Sequence, residues 1–293
     1  MWGPSVSITV SVVVPSFNRR PWLARTLPTY QAVRGVREVI IVDDGSRDGT
    51  AELVESVAKQ DARVKLVRHA RNKGVAAARN SGMEAATSEF VCYGEDEAFF
   101  EPDYVEVLGR HLEDHRADII AGPRAMIDSY ESRRDDLRRY VETLTKRIPW
   151  SLDYPFAVPT DVDLEWPFLS PCALIRRSVG EKVKYDQGYL GNAYREETDF
   201  YLQALAAGFR LMYCPHTACY HYRVDRSKDR GGNWVGRPRF RQQWYSVTNN
   251  WRFVKKHRRT LSRLSLPSPL VLQAAFVARR GQRAASAFAR NFH

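Results

Sequence analysis

Hydrophobic positions follow two rhythms along the first hundred residues. Val6 to Val14 is a nearly unbroken β-branched run stopped by Pro15, which reads as a buried strand. From Asn18 to Arg34 the spacing becomes helical, with Trp22, Leu23, Leu27 and Tyr30 on one face, Pro21 in the first turn and Pro28 as a candidate kink. Glu38 to Val42 is a second apolar run, closed by Asp43-Asp44-Gly45-Ser46. The alternation continues with a helix over 50–60, a strand over 64–68, a helix over 74–86 and a strand over 90–93. Strands apolar on both faces and separated by helices predict a parallel sheet covered on two sides. Right-handed crossovers make it doubly wound, with ligands expected at the carboxyl ends of its strands. Two acidic clusters fall at such ends, Asp43-Asp44 and Glu95-Asp96-Glu97.

Three adjacent carboxylates repel one another, so the second cluster needs water or a cation. On these residues alone a solvated loop is the plain reading. Neither GxGxxG nor GxxxxGK[ST] follows the first strand, so a substrate phosphate must be held another way. Mg²⁺ or Mn²⁺ on carboxylate oxygens would do it, the ion completing its shell from the phosphates.

Composition narrows the class. The 293 residues are 44% apolar and 12% aromatic, ample for the core of one large α/β domain or two small ones. Four cysteines, Cys92, Cys172, Cys214 and Cys219, form no CxxC pair, which argues against a disulfide framework or a zinc site and for a reducing cytosol. No run of about 18 apolar residues predicts a membrane span. The net charge of +11 is unevenly placed: residues 230–293 carry 14 Lys/Arg and no Asp/Glu, whereas the preceding 229 carry 31 bases and 34 acids. An acidic to neutral body joined to a basic arm points to an anionic partner for the arm.

Three blocks then carry a resemblance. Val12-Val13-Val14-Pro15-Ser16-Phe17-Asn18, Ile40-Ile41-Val42-Asp43-Asp44-Gly45-Ser46 and Asn72-Lys73-Gly74 through Arg79-Asn80-Ser81-Gly82 resemble, in order and spacing, the family 2 glycosyltransferases of GT-A fold. The resemblance implies an inverting, metal-dependent transfer of a sugar from a nucleotide-diphosphate sugar, a UDP-sugar foremost, to an acceptor hydroxyl. It implies that Pro15, Phe17, Asn18, Asp43, Asp44, Gly74, Arg79, Asn80, Glu95, Asp96 and Arg223 face the donor, with Asp44 on the nucleobase. Glu95-Asp96-Glu97 stands at the family's DxD position, so Glu97, with Asp96 or Glu95, is implied as ligand of Mn²⁺ or Mg²⁺; glutamate in place of aspartate reaches one methylene further. His221, in Tyr220-His221-Tyr222-Arg223, matches a residue that meets the metal or diphosphate. Tyr194-Arg195-Glu196-Glu197-Thr198-Asp199-Phe200 matches the motif of the catalytic base, which implies Glu197, with Asp199 and Glu196 as alternatives. Such a carboxylate would take the acceptor proton. The same acids also suit the start of the helix that Gly208 ends.

On this reading residues 1–228 form the GT-A domain, with a nucleotide-sugar half over about 1–122 and an acceptor half over about 123–228, and 229–293 form a lid loop and a basic helical extension. Arg226 to Pro238, Gly-rich and basic with one tryptophan, is the expected lid. Residues 123–170 read as irregular, and Leu169 to Arg176 as a strand flooring the acceptor pocket. In the extension, Trp251, Val254, Leu261 and Leu264 recur at helical spacing opposite Lys255, Lys256, Arg258, Arg259 and Arg263, and a second helix follows Pro269. A basic amphipathic arm over 251–293 predicts a peripheral enzyme on the inner face of an anionic membrane, serving a glycan or lipid-linked acceptor. Packing on the domain, an oligomer interface or nucleic acid are the rival readings of the arm, the last without a recognised module to support it. For the whole chain, the competing functions are a GT-A-like nucleotidyltransferase and a non-catalytic nucleic-acid-binding relative.

Overall fold

The computed structural model of the chain describes residues 8–223 and 238–290, so the predicted lid, apart from Pro238, and the first residues of the predicted first strand lie outside the described residues. In chain order the elements are β1 (Val10–Ser16), α1 (Arg20–Gln31), β2 (Val36–Asp43), α2 (Thr50–Ala58), β3 (Val64–Arg68), α3 (Val75–Ala85), β4 (Phe90–Tyr93), β5 (Ala98–Phe100) and α4 (Tyr104–Asp114). Then come β6 (Ile119–Ala121), β7 (Arg124–Ile127), α5 (Arg133–Glu142), β8 (Leu164–Glu165), β9 (Leu174–Arg176), α6 (Arg177–Lys182) and α7 (Glu196–Ala206). The chain continues through β10 (Leu211–Tyr213), β11 (Cys219–Tyr222), α8 (Arg239–Lys256), α9 (Arg258–Arg263) and α10 (Pro269–Arg290).

Eight strands form the main sheet in the order β3-β2-β1-β4-β9-β6-β10-β8. The expected doubly wound, mostly parallel sheet is present. β1 runs parallel to β2 and β4, and β6 parallel to β10, whereas β9 is antiparallel to both its neighbours and β8 is an antiparallel edge. The predicted strand over 169–176 thus shrinks to β9. The 123–170 stretch is more regular than its sequence implied, holding β7, α5 and β8. A second sheet pairs β5, β11 and β7; of these only β11 had a counterpart in the sequence, where Tyr220 to Arg223 resembles a last core strand of the family.

Alternation along β1 builds the two faces of the core. Val10, Val12 and Val14 pack with Leu23, Leu27, Tyr30 and Leu108, while Val13 turns to the other face with Ile40, Val42, Ala78 and Met83. α3 lies so close to that second face that a Cβ at Gly82 would stand 2.2 Å from Val13 Cγ1.

The C-terminal helices are not a detached arm. Phe253, Val254, Leu261 and Leu272 are buried against Leu152, Phe168, Tyr189 and Leu202 of the body. The single helix expected across Trp251 to Leu264 breaks at His257, between α8 and α9. At roughly 1.5–3 kcal/mol for each fully buried large apolar side chain, this cluster makes the helices part of the fold. Among the described residues, no helix is long and apolar enough to cross a membrane.

Candidate active site

The acidic trio sits where the chain leaves one sheet for the other. β4 ends at Tyr93, and β5 starts at Ala98. The Tyr30 hydroxyl, from α1, donates to the Glu95 carbonyl at 2.8 Å and accepts the Glu95 N–H at 3.0 Å. Gly94 permits that approach, since a Cβ there would lie 2.7 Å from the same hydroxyl. β11 pairs with β5 so that His221 lies opposite Ala98. His221 Nε2 therefore reaches Glu97 Oε1 at 2.8 Å.

Each acid has a cationic or polar partner. Glu95 Oε2 meets Arg124 at 2.7 Å. Asp96 accepts the Ser16 hydroxyl at 3.0 Å and lies 3.8 Å from Arg19, whose other nitrogen pairs with Glu97 Oε2 at 2.7 Å. Burial works to raise all three carboxyls. For Glu95 that rise is overcome, chiefly by Arg124 and His221; for Glu97 by His221 and Arg19; both are held below the ordinary range. Asp96 is pushed up to about 7 by burial, against Arg19 and with Glu97 adding to the rise. Arg19 and Arg124 went unnoticed in the sequence. Arg19 follows the Pro15 to Asn18 block directly, and that adjacency was the available signal.

Asp43 and Asp44 hold loops. Asp43 accepts the Ser46 N–H, and Asp44 accepts the N–H groups of Lys73 and Gly74, each at 2.8 Å, with His69 Nδ1 at 2.7 Å. Both Asp44 oxygens thereby fix the 69–74 loop, and Asp44 borders the cleft, as do Pro15 and Phe17. Asn18, at φ 52°, receives the Arg47 N–H on Oδ1 and ties this corner to the 46–47 turn. Gly74, at φ 92°, caps α3. Asn80 and Arg223 are placed differently from expectation. Asn80 grips the Tyr185 backbone through both ends of its amide, and Arg223 pairs with Asp128 at 2.9 Å, outside the cleft wall.

Across the cleft, α7 begins at Glu196 behind a strained Arg195, a non-glycine residue at φ 81°. Its guanidinium overdetermines that conformation: it donates to Asn250 of α8 at 2.9 Å and to the carbonyls of Leu152 and Ser151. Glu197 is the more open of the two acids that border the cleft, its side chain 26% exposed against 2% for Glu196. Arg79 pairs with Glu196 at 3.2 Å and Glu197 at 3.3 Å, enclosed by the rings of Tyr93 and Tyr185. Arg79, implied to face the donor, is buried but borders the cleft beside the two acids it pairs with. Burial pushes Glu196 well above the ordinary range, Arg79 opposing and Glu197 reinforcing. Asp199 departs most from expectation. It is inaccessible and accepts from Tyr189, Gln203, Lys256 and His257, so it cannot meet an acceptor.

These groups enclose one cleft of about 660 Å³, with Asp96, Glu97 and His221 on one wall and Glu196 and Glu197 on another. The C-terminal region contributes too: Arg279 and Arg283 line it from α10, Arg283 pairing with Asp153 at 3.0 Å. The described residues so far assemble a donor-sized cavity with two separate acidic poles.

The sequence blocks on those walls coincide with a known family. The family model described as "Glycosyl transferase family 2" matches residues 11–183, more than half of the chain. The chain belongs to glycosyl transferase family 2. Among its curated relatives, the chain is 30% identical over 122 residues to Glycosyltransferase GlyG of Streptococcus pneumoniae, covering 40% of this chain and 39% of that protein. It is also 30% identical over 225 residues to the succinoglycan biosynthesis protein ExoO of Rhizobium meliloti, covering 73% and 60% respectively. The match therefore spans less than two thirds of the length of these relatives. In fold, the chain resembles GalNAc-T7, solved with UDP, GalNAc and Mn²⁺, at TM-score 0.63 and 18% identity over 85% of this chain and 48% of that one. S. aureus TarS 1-349 in complex with UDP-GlcNAc gives TM-score 0.58 and 14% identity over 87% and 73%. The GT-A fold of this family 2 member is thus established by pattern and by shape.

Proposed function

We propose that the chain transfers a sugar from a nucleotide-diphosphate sugar, a UDP-sugar foremost, to an acceptor hydroxyl with inversion and with the help of a divalent cation. The observation that carries this reading is the single cleft that faces Glu97, Asp96 and His221 toward Glu197. Relatives that bind UDP with Mn²⁺, or UDP-GlcNAc, support the donor class. The donor set fits a cation: two carboxylates with one imidazole nitrogen suit Mn²⁺ better than Mg²⁺, which prefers oxygen throughout. When bound, the cation would offset the charge that develops on the departing diphosphate. Arg19 and Arg124 hold the acids in place from behind. The nucleoside lies along Pro15, Phe17 and Val75, against loops that Asp44 fixes. Glu197 takes the acceptor proton as that oxygen bonds to the anomeric carbon and the bond to the diphosphate oxygen breaks. Arg79 and Glu196 orient Glu197, and Arg195 holds the turn from which it projects.

Glu97→Gln is expected to weaken Mn²⁺ binding and cut Mn²⁺-dependent release of nucleoside diphosphate by at least about a hundredfold, with unchanged circular dichroism. Asp96 adds a pH signature. Its carboxyl is raised to about 7, and a cation needs the ionised form, so Mn²⁺ affinity should rise with pH through that value. Full activity in Glu97→Gln would remove the ligand assignment.

The acceptor is proposed to be a glycan or lipid-linked hydroxyl at the inner face of an anionic membrane. Phe240 and Trp244, 78% and 61% exposed, lie one turn apart on α8, and Leu270 of α10 is 72% exposed, among many arginines. Such a mixture suits an anionic interface. Co-sedimentation with anionic but not neutral vesicles, weakening with salt, is the expected result; equal binding to both, or to neither, would contradict it.

A further inference from the structure

Away from the cleft, three elements bring together a second set of metal-ligating side chains. α4 and its C-cap present His111 and His115, one turn apart, and both reach the same oxygen of Asp163: His111 Nδ1 at 2.5 Å and His115 Nε2 at 2.8 Å. His216, in the turn between β10 and β11, stacks on His111 with ring centroids 4.8 Å apart and places Nε2 3.6 Å from the other Asp163 oxygen. Cys214, at the end of β10, completes the group. Ligand atoms of His111, Asp163 and Cys214 all lie within 4.8 Å of one another. None of these residues lines the catalytic cleft.

The Asp163 side chain is 8% exposed, and its buried Oδ1 meets weak partners only, the Cys214 thiol and His216 Nε2 at 3.6 Å. A buried carboxylate oxygen held so loosely is costly. A plain ion-pair network needs only Oδ2, whereas here a thiol and a third histidine gather at Oδ1 as well.

We propose that His111, Asp163 and Cys214 form a structural site for Zn²⁺, with the fourth position on the side of His115 and His216. Nitrogen, sulfur and oxygen ligands together select zinc-like ions, whereas the oxygen-rich catalytic acids select Mn²⁺ or Mg²⁺. The half-exposed His115 and His216 provide a route for the ion from solvent. The site would fasten the end of α4 to the turn that leads into β11, the strand that delivers His221 to Glu97. Zinc was not expected from the sequence, because the ligands are separated by 52 and 51 residues and no CxxC announces them.

The test uses the full chain freed of metal and titrated with Co²⁺ as a spectroscopic stand-in, then with Zn²⁺. One Co²⁺ per chain should bind with a thiolate-to-metal charge-transfer band in the near ultraviolet, displaced by one Zn²⁺, and Zn²⁺ should raise the melting temperature. Cys214→Ser should abolish the band, and His111→Gln should weaken binding at least about tenfold. Glu97→Gln should retain the band, which separates this site from the catalytic one. Absence of the band in the native chain, its persistence in Cys214→Ser, or its loss in Glu97→Gln would overturn the proposal. Should Cys214→Ser fail to fold, the partly exposed His111→Gln decides: unchanged Co²⁺ affinity there would overturn it equally.

Discussion

Glu197→Gln is expected to lower turnover by about 10²–10⁴-fold, the range for loss of a general base, while donor and Mn²⁺ bind nearly as before. The substitution keeps the size of the side chain and its place at the start of α7, and removes only the capacity to take a proton. Arg79 remains paired with Glu196, so the fold around the site should persist. A group that acts only in the transition state lowers kcat and kcat/KM together. Steady-state kinetics beside calorimetric titration of the donor give the answer. A comparable loss of donor affinity would make Glu197 a binding residue.

Asp199→Ala is expected to act on stability, by about 3–5 kcal/mol. Removing this inaccessible carboxylate takes from His257 its partner at 2.7 Å and from Lys256 one of two, Asp186 remaining, and leaves the Tyr189 hydroxyl without its acceptor at the junction of α7 with the C-terminal helices. Urea unfolding measures the change. A loss below about 1 kcal/mol, the range of an exposed ion pair, would mean that this junction is not structural. The milder Asp199→Asn should retain turnover per folded molecule within a few fold, in contrast to Glu197→Gln. If it instead abolished turnover in a folded chain, Asp199 rather than Glu197 would be the candidate base.

That junction also shows where the sequence could be read and where it could not. The alternation of β1 to β4 with α1 to α3 was legible because a strand buried on both faces must be apolar throughout, and Val12 to Val14 and Ile40 to Val42 are. The sheet of β5, β11 and β7 was not, since strands of three or four residues carry no period and pair across more than a hundred positions. The C-terminal region was legible only in part. Fourteen bases without an acid suggest mutual repulsion relieved only by an external anion. In the fold, Arg252 and Lys256 meet Asp186, Lys256 and His257 meet Asp199, and Arg283 meets Asp153, partners at least 57 positions away in the chain. A tally by segment cannot see them. Likewise Glu197 could be singled out by its motif, but its accessibility, and the burial of Asp199 two residues on, follow from which face α7 turns to the body. Truncation after Asn250, which the tail's composition alone makes appear harmless, would remove Phe253, Val254, Leu261, Leu272 and the partners of Asp199.

The most direct measurement is release of nucleoside diphosphate by the intact chain from a panel of nucleotide sugars, first with Mn²⁺ and then after chelation. The account predicts release from at least one UDP-sugar in the presence of Mn²⁺, lost on chelation and restored when the ion is returned. Release that chelation leaves untouched would contradict the metal-dependent mechanism, and release of pyrophosphate from a nucleoside triphosphate in its place would point to nucleotidyl transfer.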